Sequence, residues 1–203
     1  MYRLHDNMSS GNAYKVRLLL SQLGIPFERI EYDIDRAETR TAEFLAKNPN
    51  GRVPLLEWED GRVLPESNAI IWHLAEGSRL MPDGSWSRAE ALSWMFFEQY
   101  SHEPYVAVAR FYLAHAPKDE LKKREHLVPE WHAKGNAALA VMEGHLNKRD
   151  WFAGARYSVG DIALFGYTHC AEEGGFDLGN YPAITRWIER VREQPAHISL
   201  SAR

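Results

Sequence analysis

The sequence predicts two domains of different class: an α/β domain over residues 1–77, built on a mixed four-stranded sheet with helices, then a linker over 78–86 and an all-α domain over 87–203. Three observations carry this. Up to about Ala75 short apolar runs alternate with helix-like segments, whereas beyond the linker no strand signal survives. Asp60-Gly61 stands between two apolar runs, a strong short-range hairpin signal. A chain of 203 residues, 45% hydrophobic, accommodates one large domain or two small ones, and at this size buries about 70% of its unfolded surface.

Taken in order, Tyr2 to His5 reads as a strand and Asn12 to Leu23 as a helix. In that helix Ala13, Val16, Leu19, Leu20 and Leu23 form one apolar face, with Lys15, Arg17 and Gln22 facing away. Gly24 and Pro26 stop it. Phe27 to Tyr32 is a second strand, and Thr41 to Lys47 a short helix ended by the turn-rich Asn48-Pro49-Asn50-Gly51. Val53 to Trp58 and Arg62 to Leu64 make the hairpin, and Ser67 caps a helix running to Glu76. A parallel pair joined by a helix and followed by an antiparallel hairpin gives a mixed sheet. Gly77 to Trp86, with Pro82 and Asp83-Gly84, reads as linker. Beyond it, Arg88 to His115, Lys118 to Lys148, Gly160 to Glu173 and Pro182 to Glu193 are apolar-periodic helical segments. Pro104 should kink the first of them.

A net charge of −4 argues against a broad nucleic-acid or anionic-membrane surface. The single cysteine, Cys170, excludes an internal disulfide, a CxxC pair and a Cys-rich zinc site. No apolar run approaches the roughly 18 residues of a membrane span. Met1 to Asp6 carries charge where a signal peptide needs an apolar stretch, so a cytoplasmic setting is expected. The nine histidines show no paired ligand spacing, so no metal is expected. Neither a phosphate loop nor a dinucleotide glycine fingerprint is present.

Five stations bear on chemistry, each with a plain structural alternative. Met8-Ser9-Ser10-Gly11-Asn12 opens the first helix; these are ordinary capping residues, but hydroxyl and N–H donors converging on a helix N-terminus also favour an anion, a thiolate included. Pro54 inside a strand-like run belongs at an edge or strand start, and a cis Val53-Pro54 bond would turn the Val53 backbone toward an extended peptide ligand. Glu66-Ser67 is either a simple cap or a clamp for an amino-acid head group, the hydroxyl and helix N–H groups taking the carboxylate and Glu66 the ammonium. Ser158-Val159-Gly160-Asp161 is a capping box with Asp in place of Glu, best read as a folding element. The aromatic run Phe96 to Tyr105 is mostly core, with Pro104 freeing polar groups to line a cleft.

The order of these stations resembles the cytosolic glutathione S-transferases over nearly the whole chain: a seryl helix entrance, Asn48-Pro49-Asn50-Gly51-Arg52-Val53-Pro54-Leu55, Glu66-Ser67, a linker, then a helical half bearing Ser158 to Asp161. The resemblance is to the bacterial, serine-type members (theta- or zeta-like), and it implies a thioredoxin-like N-terminal domain, an all-helical C-terminal domain and a homodimer. Carried over, Ser10 matches the serine that holds the glutathione sulfur, with Asn12 placed to share that contact and Ser9 beside it. Val53, before Pro54, matches the residue whose backbone pairs with the cysteinyl part. Glu66 and Ser67 match the pair for the γ-glutamyl end, and Thr39, Arg40 and Arg52 fall near positions for the glycyl carboxylate. Ser158 and Asp161 match the folding box. The run Ser9 to Tyr14 follows the zeta-like Ser-Ser-Cys-Ser-Trp pattern only in part, and the missing cysteine disfavours mixed-disulfide chemistry.

The implied reaction is activation of the glutathione thiol for attack on a small electrophile. Glutathione is then a co-substrate and no tightly bound cofactor is expected. A free thiol with pKa near 8.5 is only about 3% thiolate at neutral pH, and lowering that pKa by about two units takes roughly 2.7 kcal/mol. The electrophile should lie between the seryl loop and the helix through Phe97, Tyr100 and Tyr105. Two alternatives remain: another glutathione-dependent reaction (isomerisation, disulfide or peroxide reduction, dehalogenation) or a noncatalytic binding module. For the dimer, an apolar face around Trp94, Phe96 and Phe97 exceeds one helix stripe; Glu98 and Glu103 either approach a neighbouring subunit's glutathione or are solvated or paired with Arg110.

Overall fold

Strand β1 (Tyr2–Asp6), helix α1 (Gly11–Leu23) and strand β2 (Phe27–Glu31) open a computed structural model that describes residues 1–202. β1 and β2 run parallel, Tyr2 opposite Phe27 and Asp6 opposite Glu31, which demands a crossover, and α1 is that crossover. α1 ends at Gly24 in left-handed backbone (φ 65°). There the Ile25 N–H bonds the Leu20 carbonyl at 2.9 Å and the Gly24 N–H bonds the Ser21 carbonyl at 3.0 Å, the paired closure of a glycine-terminated helix. Thr41 caps α2 (Ala42–Lys47). Strands β3 (Leu55–Glu57) and β4 (Val63–Pro65) then form the expected hairpin, with Gly61 at φ 83° in its turn, and α3 (Ser67–Ala75) follows. The strand order is β2-β1-β3-β4 with β3 antiparallel to both neighbours, the mixed four-stranded sheet that the sequence predicts.

Alternation along β1 sorts its two faces. Leu4 and Asp6 share one parity, and Asp6 is bonded to Arg17 of α1; His5 has the other, and its ring packs edge-on against Phe44 of α2 at 6.0 Å. Leu4, Leu19, Leu20, Leu56, Ile70 and Ile71 are fully buried. On the α2 side His5 bonds Tyr32 and Glu57, each at 2.9 Å, and burial lowers its pKa.

α1 is the main departure from the sequence reading. Lys15, Arg17 and Gln22, expected to face solvent, are buried. The chain divides into two compact units, and the segment starting at Gln194, expected with the helical domain, belongs to the first with Met1–Met81. That segment covers the outer side of α1: the Tyr14 hydroxyl donates to the Ile198 carbonyl at 2.7 Å, Arg17 to the Leu200 carbonyl at 3.0 Å and Ser21 to the Ala196 carbonyl at 2.9 Å. Periodicity within one helix carries no signal of such a cover.

The second unit, Pro82–Glu193, is helical. α4 (Gly84–Phe97) begins inside the stretch read as linker, with Asp83 in extended backbone at its N-cap. Turn residues and capping residues are the same residue types, so the sequence blurs the boundary. The helical path continues through a π-helical turn, Glu98–His102, into α5 (Glu103–Arg110), and through another, Phe111–His115. The first lies directly before Pro104, where the lost N–H disrupts the ordinary ladder, and the Glu103 N–H reaches back five residues to the Glu98 carbonyl. α6 (Lys118–Lys122), α7 (Val128–Leu146), α8 (Val159–Thr168) and α9 (Pro182–Arg192) complete the unit. At the entrance to α8 the predicted box is formed. Asp161 accepts from the Ser158 N–H (3.0 Å) and hydroxyl (3.2 Å), the Phe152 N–H (3.1 Å) and the Trp187 indole N–H (3.0 Å).

The apolar face of α4 also differs from expectation. Trp94 packs edge-on against Phe152 and His145, and Phe97 against Trp94, whereas Leu92, Phe96 (72% exposed) and Tyr100 (84% exposed) share the open side. Glu98 is fully buried rather than solvated, and Arg110 pairs with Glu173 at 2.8 Å. No helix among the described residues is long and apolar enough to cross a membrane.

Candidate active site

The strand register gathers three of the predicted stations at one end of the sheet. Asp6, the last residue of β1, feeds the loop to Ser10; β3 runs antiparallel to β1, with Leu55 opposite His5, so Val53-Pro54 lies at that same end. Pro65, the last residue of β4, pairs with Leu55, which brings Glu66-Ser67 alongside. The Val53-Pro54 bond is cis, as expected.

The loop itself is built on Asn7. Its side-chain oxygen accepts from the Ser9 N–H at 3.2 Å and the Ser9 hydroxyl at 2.7 Å, while its carbonyl accepts from the Ser10 N–H at 3.0 Å. Ser10 is the N-cap of α1, its oxygen accepting from the Ala13 N–H at 3.2 Å. That bond uses a lone pair and leaves the Ser10 hydrogen available as a donor.

Asn12 and Ser67 join the two helix N-termini directly. The Ser67 hydroxyl donates to Asn12 Oδ1 at 3.0 Å, and Lys15 Nζ donates to the same oxygen at 2.8 Å. An ammonium only donates, so the Asn12 atom facing it must be the oxygen, and the amide NH2 therefore points to the other side. Lys15 was not foreseen as a site residue; the Asn12-to-Lys15 spacing of three on a helix face was the available signal.

Ser67 was expected as the N-cap of α3, but it is the first helical residue, and Glu66 holds the cap position at φ 72°, ψ 112° without a side-chain cap bond. A positive φ is costly for a residue with a Cβ, and such strain gathers at functional sites. It leaves Glu66 exposed beside a helix start that its own side chain does not cap, while Ser67 is buried.

Thr39, Arg40 and Arg52 lie at the Asn48–Arg52 turn. Arg40 donates to the Asn50 carbonyl at 3.0 Å, and a side chain at Gly51 (φ 63°) would collide with the Arg40 guanidinium. Asn48 holds the Arg52 carbonyl at 2.8 Å; Arg40 and Arg52 are exposed, Thr39 buried. The aromatic candidates belong to the second unit. Phe97 is half-buried against Trp94, Tyr100 is exposed, and Tyr105 has Lys134 Nζ over its ring at 5.1 Å. Ser158 and Asp161 sit in their own buried box, a structural element as expected.

Residues 9–76 match the family description "Glutathione S-transferase, N-terminal domain" and residues 93–195 match "Glutathione S-transferase, C-terminal domain". The chain belongs to the glutathione S-transferase family. Among curated relatives of this transferase, glutathione S-transferase GstB of Escherichia coli K12 is 32% identical over 201 residues, covering 97% of this chain and 95% of the relative. A crystal structure described as a possible glutathione S-transferase from Rhodopseudomonas palustris is 48% identical, covers 100% of this chain and 91% of its own, and superposes with a TM-score of 0.96. A more distant structure, Ure2p in complex with S-p-nitrobenzylglutathione, is 25% identical, covers 96% of this chain and 91% of its own, and has a TM-score of 0.85.

Proposed function

We propose that this chain is a glutathione transferase that holds glutathione along the sheet end described above and ionises its thiol at the start of α1. The observation that carries the reading is the shared Asn12 oxygen. It locks the start of α3, where an amino-acid head group fits, to the start of α1, where an anionic sulfur fits. In this arrangement Glu66 and Ser67 take the γ-glutamyl head group, and the Val53 backbone before Pro54 pairs with the cysteinyl amide. Thr39, Arg40 and Arg52 face the glycyl carboxylate. Ser10, Asn12 and the α1 N–H groups, with Ser9 beside them, donate to the sulfur. The serine is a donor here and not a nucleophile. The thiol proton passes to solvent, and the thiolate sulfur forms the new bond to the electrophilic centre as that centre's leaving group departs with its bonding electron pair. Phe97, Tyr100 and Tyr105 are the aromatic candidates for binding the electrophile.

Retention on immobilised glutathione, followed by a panel of an aryl halide, an organic peroxide and a glutathione mixed disulfide, tests the reading. Ser67→Ala is expected to weaken glutathione binding by about 1.5–3 kcal/mol, the scale of one hydrogen bond to a charged group. Unchanged affinity by calorimetry, with the fold intact, would remove Ser67 from the site.

We further propose a homodimer in the cytoplasm. The open face of Leu92, Phe96 and Tyr100, spaced by four on the helical path, supports the dimer, and a lone buried cysteine suits a reducing compartment. Light scattering at micromolar concentration should give twice the 23.3 kDa chain mass. A monomer that still binds glutathione would sink the dimer proposal.

A further inference from the structure

Beneath the seryl loop lies an ionic cluster that the proposed chemistry does not use. The Arg17 guanidinium is 2% exposed and Asp6 is 0% exposed. Arg17 NH1 donates to Asp6 Oδ2 at 3.1 Å and to the Met8 sulfur at 3.3 Å; NH2 donates to the Met8 carbonyl at 3.1 Å and the Leu200 carbonyl at 3.0 Å. Arg29 Nε reaches the same Asp6 oxygen at 3.1 Å and also pairs with Glu31, whose other oxygen accepts the Met8 N–H at 2.7 Å. Met8 is thus held at its N–H, its carbonyl and its sulfur, immediately before Ser9 and Ser10.

Two features indicate what this cluster does. Its charges cancel, two arginines against Asp6 and Glu31, so it offers little net field to an anion at the loop. It is also incompletely satisfied: Asp6 Oδ1 and Arg17 Nε are buried with no hydrogen-bond partner among the described residues. A buried ionic group of this kind is a weak source of stability, and replacing it by apolar packing is often neutral or better. What it does supply is a fixed position.

We infer that Arg17 is a positioning residue for the thiol-activating loop, and that the chain segment 196–200 is a strap that completes its hold. This rests on the proposed role of Ser10 and Asn12. The two hydrogens of one guanidinium nitrogen join the loop (Met8 carbonyl) to the strap (Leu200 carbonyl), while Tyr14 and Ser21 on the same side of α1 bind the strap at Ile198 and Ala196. A long side chain on α1 runs back toward the helix N-terminus, which is how Arg17 reaches the loop two turns away. Lysine keeps the charge opposite Asp6 but has one nitrogen instead of a planar fork, and cannot hold four acceptors spread across two segments.

The test is Arg17→Lys alongside Tyr14→Phe/Ser21→Ala, which loosens the strap while leaving Arg17 in place. The ultraviolet absorbance of the thiolate, followed against pH with glutathione bound, should show the midpoint rising by about one unit in Arg17→Lys and by less in the double variant. Turnover per folded molecule near pH 6.5 should fall about tenfold through kcat, since displaced donors act on the reacting atom, with KM for glutathione nearly unchanged. Amide exchange over residues 8–11 should quicken in both variants. An unmoved midpoint, with any loss of turnover matched by loss of folded protein, overturns the proposal and leaves Arg17 a stabilising residue only. If Arg17→Lys does not fold, the double variant decides by the same midpoint. If the wild-type chain binds no glutathione, the functional reading fails instead, and exchange over residues 8–11 still decides whether the strap and Arg17 hold the loop.

Discussion

Replacing Asn12 by alanine is expected to lower turnover by about 10- to 100-fold near pH 6.5, because a hydrogen bond to a charged group is worth about 1.5–3 kcal/mol. The loss should lie in kcat and shrink as pH rises, since above the thiol's own pKa the thiolate forms without assistance. Asn12 is the more informative of the two loop residues. Its oxygen takes both Ser67 and Lys15, so the variant removes the amide donor and also strips the acceptor that aligns two other side chains. Ser10→Ala removes a donor too, but additionally takes away the α1 cap, costing about 1 kcal/mol of stability. Stopped-flow turnover across pH, normalised to folded protein, separates these effects. If Asn12→Ala keeps the wild-type profile while Ser10→Ala shifts it, the sulfur contact belongs to Ser10 alone.

The largest stability effect is expected at Asp161. Its two oxygens accept from four donors, three of them N–H groups fixed by backbone or ring geometry. Asp161→Ala orphans all of them in the core of the second unit, and at about 1–3 kcal/mol for each unsatisfied buried group the loss should reach about 4 kcal/mol or more. Turnover per folded molecule should be unaffected, and a normally stable variant without turnover would make Asp161 a site residue. The pH dependence has a definite sign. Burial pushes this carboxyl from an ordinary 3.8 up to about 6, against the hydrogen bonds from Trp187, Phe152 and Ser158. The folded state therefore holds this proton more tightly than the unfolded chain does. The resulting stability is fully present below about pH 4 and lost as pH rises through about 6. Asp161→Asn has no such proton, so its deficit relative to wild type should narrow by about 2 kcal/mol between pH 4 and pH 7 in denaturant titrations.

What could be read from the sequence was what short stretches encode by themselves. Gly24 with Pro26, Asp60-Gly61 and Ser158 with Asp161 each place their whole signal within a few residues, and all three appear where expected. Asp83 and Ser67 show the limit of local reading. Residues suited to turns and to caps overlap, so the sequence reads the start of α4 as linker and places the cap of α3 one residue late. Burial of Lys15, Arg17 and Gln22 was not legible at all, because their cover is remote in sequence and a charged residue on a helix reads as solvated. The site divides the same way. Its stations are visible as motifs, whereas the Ser67–Asn12 bond that links two of them spans 55 residues and belongs to the fold.

The strap has a consequence for how the molecule assembles. Its contacts with α1 join residues separated in sequence by 175 to 184 positions, and the whole second unit is an insertion inside that loop. Closing a flexible loop of such length costs about 4–5 kcal/mol of chain entropy, against only a few hydrogen bonds gained at the seam. The seam therefore closes cheaply only after the inserted helices have folded and drawn their two ends together. Unfolding of the inserted unit, which Asp161→Ala makes easier, thus reaches the seryl loop through the covalent chain by raising the entropy of a closure that the loop's anchor shares, while molecules that keep the unit folded keep the loop.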